Sequence, residues 1–303
     1  MFSLWEIVLL QVVNGLILGS FYALVALGYS MVYGIIKLLN FAHGDIYMTG
    51  AFICFTVFSF ISSVIGGVPG VVMAVIAAMI FCAALGFLVQ RIAYRPLFDA
   101  PRLSLLITAI GVSLVISNTV MVRTNSQFLF FISGLDNTGG FDFGKITITY
   151  IQVVLIITTV SLMVGLHRFI NRTMWGKAMR AIASDMDTCR LMGINVNTVI
   201  GITFMIGSSL AAVAGGMACV YYGNIHFSMG YIIGMKAFTS AVIGGIGSIP
   251  GAMLGGLLLG LLEAGGTHLF GSAWKDVFAF IILIVMLIFK PTGLLGRTEI
   301  ERM

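Results

Sequence analysis

Long apolar runs separated by short polar segments extend along the whole chain. At about 20 apolar residues per membrane-crossing helix, the pattern predicts spans over 7–33, 41–65, 68–89, 103–122, 146–166, 199–220 and 277–289, with a glycine-interrupted stretch over 237–264. The first run, about 27 residues, is on the order of 40 Å if straight, so it is expected to tilt or to break near Gly28. The 237–264 stretch contains Gly244-Gly245-Ile246-Gly247-Ser248-Ile249-Pro250-Gly251, which cannot remain one regular helix. Two shorter helices joined by a loop are expected there, the loop covered by protein or water.

Two polar segments interrupt this pattern. One is Asn40-Phe41-Ala42-His43-Gly44-Asp45; the other, 167–197, carries Arg168, Arg172, Lys177, Arg180, Asp185, Asp187 and Arg190. Ionisable groups are costly in hydrocarbon and persist where they face protein or a watery route, and basic loops between spans stay cytoplasmic. By that rule 167–197 and 90–102, with Arg91, Arg95 and Arg102, are cytoplasmic. The 123–149 loop, where Arg123 and Lys145 are balanced by Asp136 and Asp142, faces outward, and the N-terminus is outside. The tail, with Lys290, Arg297 and Arg302 only weakly offset by Glu299 and Glu301, also reads as cytoplasmic. That parity requires 237–264 to enter and leave on one side.

Composition agrees with the pattern. Of 303 residues, 59% are hydrophobic and 9% charged, against about 25% charged in an average soluble domain, and the mean hydropathy is +1.10. The fold class is all-α, a polytopic integral membrane protein of about eight transmembrane helices with broken or re-entrant elements, forming one membrane domain over 1–303. A net charge of +5 concentrated in loops does not suit nucleic acid, and the basic patches lack interleaved aromatics for base stacking. Cys54, Cys82, Cys189 and Cys219 stand singly without metal spacing and read as packing residues. Small residues at four-residue spacing, Gly15/Gly19, Gly207/Ala211/Gly215, Gly251/Gly255 and Gly256/Gly260, predict close helix packing, foremost within the subunit.

Candidate chemistry is sparse. Gly139-Gly140-Phe141-Asp142-Phe143-Gly144-Lys145 comes near a phosphate-binding loop, but Ile146 stands where Ser or Thr should hold magnesium, so a turn between strands is the better reading. Asn40, His43 and Asp45 sit where a helix would begin, so capping or interhelical packing leads, with lining of a substrate route as the alternative and catalysis far behind. Glu263 and His268 fall near a span boundary that solvent reaches. In the basic loop, Ser184 or Asp185 caps a short helix, Gly193 closes it in a left-handed conformation, and Ile182, Met186 and Cys189 form its apolar face. Such a helix is marginal alone and needs a surface, either lipid headgroups or a partner protein.

Three segments in order, Asn40-Phe41-Ala42-His43-Gly44-Asp45-Ile46-Tyr47-Met48, the basic loop with Leu191-Met192-Gly193-Ile194-Asn195, and Gly244 to Ala252, resemble bacterial branched-chain amino acid ABC-importer permeases of the LivH type (the LivH/LivM permease family). The likeness extends to Lys290-Pro291-Thr292-Gly293-Leu294-Leu295-Gly296. It implies a multi-pass permease subunit of the inner (plasma) membrane that pairs with a second, homologous permease, receives solute from a periplasmic or extracellular binding protein, and is driven by two ATP-binding subunits. It implies no cofactor, no metal and no bond chemistry in this chain. The segment matching 176–195, within a cytoplasmic loop at about 168–197, would be the ATPase-coupling element. Arg180, Asp185 and Arg190 are then expected as its polar contacts, Ile182, Met186 and Leu191 as its packed face, and Gly193 as its cap. Asn40, His43, Thr239, Gly247 and Ser248 are expected to line the passage. Related permeases carry urea, amides or other amino acids, so the expected solute is a branched-chain amino acid or a related small polar compound. A stand-alone channel or secondary transporter is the alternative from another class, and an intramembrane enzyme the third. An ion-coupled carrier should hold acidic groups deep within its spans, and Asp45 and Glu263 both fall near span ends in this pattern.

Overall fold

The computed structural model describes residues 3–98, 100–132, 139–143 and 146–296. The charges Asp136, Lys145, Arg297, Glu299, Glu301 and Arg302, used in the orientation argument, lie outside the described residues, as does Gly144. The helices are α1 (Leu4–Ile36), α2 (His43–Ile61), α3 (Gly67–Val89), α4 (Arg102–Thr124), α5 (Tyr150–Arg172), α6 (Met174–Ser184), α7 (Met186–Leu191), α8 (Val196–Tyr222), α9 (Met229–Gly244), α10 (Ile249–Phe270) and α11 (Lys275–Phe289). Among the described residues four short strands, β1 (Leu129–Phe130), β2 (Gly140–Phe143), β3 (Ile146–Thr149) and β4 (Asn224–Ile225), pair as β1 with β4 and β2 with β3. Among the described residues eight helices are long and apolar enough to cross a membrane, and α9 is a shorter apolar helix. The all-α polytopic expectation holds.

Of the two alternatives expected for α1, a tilt or a break near Gly28, the helix does not take the break. A capping box joins Ser3 and Glu6 at its start, Lys37 closes it at φ 54°, and Gly28 lies in an unbroken helix of 33 residues. At about 50 Å it must tilt rather than kink. Gly28 is there for space: a methyl group on it would collide with the His43 imidazole. The span expected from 146 also begins later. Residues Ile146–Thr149 form β3, and α5 starts with a capping box between Thr149 and Gln152. Residues Gly140–Phe143 of the near-phosphate-loop sequence are therefore a strand paired antiparallel with β3, Phe141 opposite Ile148 and Asp142 opposite Thr147.

The glycine pairs lie at helix contacts within the chain. Helices α1 and α10 run antiparallel, Gly15 beside Leu261 and Gly34 beside Gly247. Gly256 and Gly260 turn to α1 while Gly251 and Gly255 turn to α9. Gly50 and Gly215 bring α2 and α8 together. The exposed apolar residues of α4, α5 and α11 supply outer surface.

The positive-inside rule puts the β2–β3 pair outside and α6 in the cytoplasm. In a chain whose four cysteines are replaced, Phe141→Cys should react with an impermeant thiol reagent added to intact cells, and Lys177→Cys should not. Reversed labelling would invert the orientation.

Candidate functional site

The basic segment folds as two helices, not one. Thr173 caps α6 by accepting from the Gly176 amide at 3.1 Å, and Gly176, Met179 and Ile182 turn inward at three-residue spacing. Asp185 ends α6 and caps α7, its Oδ1 accepting from the Asp187 and Thr188 amides at 3.0 Å each. Ile182 and the Met186/Cys189 pair therefore belong to different helices, correcting the single apolar face expected from spacing. The Asp185 carboxyl is held below its ordinary value, chiefly by the Thr188 hydroxyl and then by its amide. A depressed folded value means the cap is intact at neutral pH and is lost only as pH falls through that lowered value. Amide exchange of α7 should accelerate only in that strongly acidic range.

Gly193 takes φ +80° as expected, and the Ile194 amide donates to the Cys189 carbonyl at 3.0 Å. Arg180 turns back into its own chain, donating to the Ile170 carbonyl and the Asn171 Oδ1; it braces α6 on α5. Arg190 reaches Asp187 at 3.3 Å on the exposed face. Leu191 and Met192 are 88% and 77% exposed, two adjacent apolar side chains at the end of α7. Met192 was absent from the expected residues, although its neighbour was among them.

The glycine-rich break lies beside α6. A cavity of about 470 Å³ is lined by Tyr33, Lys37, Asn171, Arg180, Gly247 and Ser248. The broken element is longer than expected, 229–270 rather than 237–264, because α9 begins earlier and α10 ends later. Gly245 and Gly247 adopt φ +105° and +88°, and the Ser248 hydroxyl caps α10 by accepting from the Gly251 amide at 3.2 Å. The tail closes over this turn, with the Leu294 and Leu295 amides donating to the Ile243 and Gly244 carbonyls at 2.8 and 2.9 Å. Those carbonyls are the ones a helix C-terminus leaves unpaired. Gly247→Leu forces a side chain into a left-handed conformation costing about 1–3 kcal/mol, and is expected to reduce uptake while the complex still assembles. Unchanged uptake would make the turn a tolerated loop.

Asn40, His43 and Thr239 are deeply buried. The Asn40 Oδ1 accepts from Tyr94 at 2.9 Å and from the Ala42 amide at 3.1 Å, closing a local turn just before α2, whose N-cap position Ala42 carries no side-chain cap bond. His43 stands edge-on to Tyr29, ring centroids 4.9 Å apart, and Thr239 donates to the Met235 carbonyl at 3.0 Å. Gly28, which His43 touches, lies about 12 Å from the C-terminal end of α1, so 40–45 is drawn into the protein. There the starts of α2 and α9 meet, Gly44 against Gly230 and Gly234. The first-turn Asp45, which accepts from Ser113, suits the positive ends of both helices.

A buried charge cluster was missed. Glu263 is fully buried, contrary to the solvent contact expected for it; His268 is exposed as expected. Glu263 accepts from Lys236 at 2.9 Å, from the Tyr22 hydroxyl at 2.9 Å and from Lys275 at 3.3 Å. Lys236, 2% exposed, also reaches Asp276 at 2.6 Å. The signal was present: Lys236 is the one charged residue in 229–244, and an acid was needed to pair with it. Starting the apolar stretch at Ala237 cut that lysine off.

A family profile and several full-length relatives carry the same description. Residues 11–287 match the family profile described as branched-chain amino acid transport system / permease component. The chain is 47% identical to the high-affinity branched-chain amino acid transport system permease protein BraD of Pseudomonas aeruginosa, covering 96% of this chain and 97% of that one. It is 42% identical to the corresponding permease protein LivH of Escherichia coli K12, over 96% of each chain. To the probable branched-chain amino acid transport permease protein LivH of Methanocaldococcus jannaschii it is 26% identical, over 93% and 91%.

Proposed function

This chain belongs to the branched-chain amino acid transport permease family, and from that premise we propose that it is the conducting subunit of an ATP-driven importer of branched-chain amino acids. The family implies partner permease and ATPase subunits. In our reading these are a second, homologous permease and two ATP-binding proteins, with an external binding protein delivering the solute, and no nucleotide site resides in this chain.

The observation that supports this reading most is the exposed apolar end of α7. Leu191 and Met192 stand out from a short helix whose neighbour α6 is anchored on α5 by Arg180. Fully burying one such side chain contributes about 1.5–3 kcal/mol, so a partner protein is favoured over solvent. Arg190 beside them supplies a charge-assisted contact. Movement of α6 bears on the α9–α10 turn across their shared cavity. ATP binding drives the cycle only if the ATPase binds outward-open and inward-open states with different free energies.

Glu263 inside α10 bears on the carrier alternative. Two lysines hold it, an arrangement of compensated charge that does not favour a proton relay.

Purification of the tagged chain in mild detergent should bring an ATPase with it. Arg190→Glu combined with Leu191→Ala should lose that ATPase and solute-stimulated hydrolysis by ten-fold or more, while membrane insertion and permease pairing persist. Charge-assisted contacts of about 1.5–3 kcal/mol underlie that figure. Full retention and uptake in the variant would leave the loop a topology signal only.

A further inference from the structure

On the side opposite α6 a cleft of about 420 Å³ opens among α1, α2, the β4 region, α9 and α11. Its volume falls within the range of small-ligand sites, roughly 300–1,000 Å³. The walls are aromatic and aliphatic, including Phe21, Tyr47, Tyr222, Ile232 and Ile233, and the charged groups on its lining are Lys236, Lys275 and Asp276. An apolar cavity with a few convergent polar groups is the usual form of a small-molecule site.

The charges have an ordered depth. Glu263 lies about 10 Å below the outer end of α10 at 1.5 Å per residue and is enclosed by Tyr22, Lys236 and Lys275. Closer to the opening, Lys275 and Asp276 keep side-chain exposures of 38% and 58%. Asp276 uses one oxygen toward Lys236, and a carboxylate offers about four acceptor positions. The adjacent pair therefore shows the cleft one ammonium and one carboxylate, both held in place from behind.

We propose that this cleft is a receiving site for a zwitterionic α-amino acid with an aliphatic side chain, its carboxylate on Lys275, its ammonium on Asp276 and its side chain against Phe21, Tyr47 and Ile232. This rests on the importer reading and adds to it a station in the permease itself. A solute bearing one charge engages only the remaining donors of Lys275 or the remaining acceptors of Asp276, and a neutral aliphatic molecule engages neither.

The test uses the assembled complex and a diazirine analogue of leucine. Photolabelling should place adducts on the cleft residues. L-leucine should compete at least ten-fold better than 4-methylpentanoate or isoamylamine, which each lack one charge. Asp276→Asn should abolish labelling in a complex that still assembles, with a lowered unfolding temperature because the buried Lys236 loses its charged partner at 2.6 Å. Ile232→Trp, which fills the cleft and leaves Lys236, Lys275 and Asp276 in place, should abolish it too and decides the matter if the first variant does not assemble. Adducts only elsewhere, equal competition by the singly charged analogues, or full labelling in a folded variant would each overturn the site. Retained ATPase and ATP-driven uptake alongside absent labelling would remove this site and leave the importer reading standing; loss of both would strike the importer reading itself.

Discussion

Lys236→Met should lower the stability of the folded chain by about 3–5 kcal/mol, the usual cost of stripping one partner from a buried ion pair. Glu263 is fully buried and loses its contact at 2.9 Å, while Lys275 at 3.3 Å and Tyr22 at 2.9 Å remain, which holds the loss toward the lower end. Lys236→Met with Glu263→Gln should recover most of it. No uncompensated charge is then buried, and the more exposed Lys275 and Asp276 can be hydrated. Thermal unfolding in detergent of the two single variants and the double variant measures the coupling. An unaltered unfolding temperature in Lys236→Met would mean that the pair adds nothing to the fold, and additive losses in the double variant would mean that the charges act independently.

The same cluster marks the limit of what is legible in the chain. Span existence was readable because burial in hydrocarbon demands long apolar runs, and the Gly244–Gly251 break was readable because glycine and proline disrupt a helix wherever they cluster. Both are local rules. The role of Gly28 was not legible, because it is set by His43, fifteen positions away in sequence and in contact through tertiary packing. Ile146–Thr149 is apolar enough to begin a span, yet antiparallel pairing with β2 takes it. On the cytoplasmic side, Asp185, Gly193 and the helix ends followed from capping rules. The use of Arg180 did not, since its acceptors belong to the preceding helix. Lys236 and Glu263 lie on separate helices, and only the α9–α10 turn brings them together.

The seam between α1 and α10 should be the least forgiving surface in the protein. A Cβ on Gly256 would sit 2.5 Å from the Ala23 Cα, and one on Gly260 would overlap the backbone of Gly19 and Gly15. Backbone cannot rotate aside as a side chain can, so a larger residue must drive the helices apart. Overpacking in a well-packed interior costs about 1–3 kcal/mol, and Gly260→Leu is expected at or beyond the upper end. The loss should extend past the seam, because α10 carries Glu263 and packs on α9 through Gly251 and Gly255. Gly265→Ala is the control: nothing lies within 4 Å of a Cβ there, and alanine is the better helix former by about 1 kcal/mol, so it should be neutral or slightly stabilising. Membrane yield and unfolding temperature of the two variants separate steric from propensity effects. If Gly260→Leu matched the control, the seam would have to open at little cost, and α1 with α10 would be a sliding pair instead of the fixed frame against which α9 and α6 move.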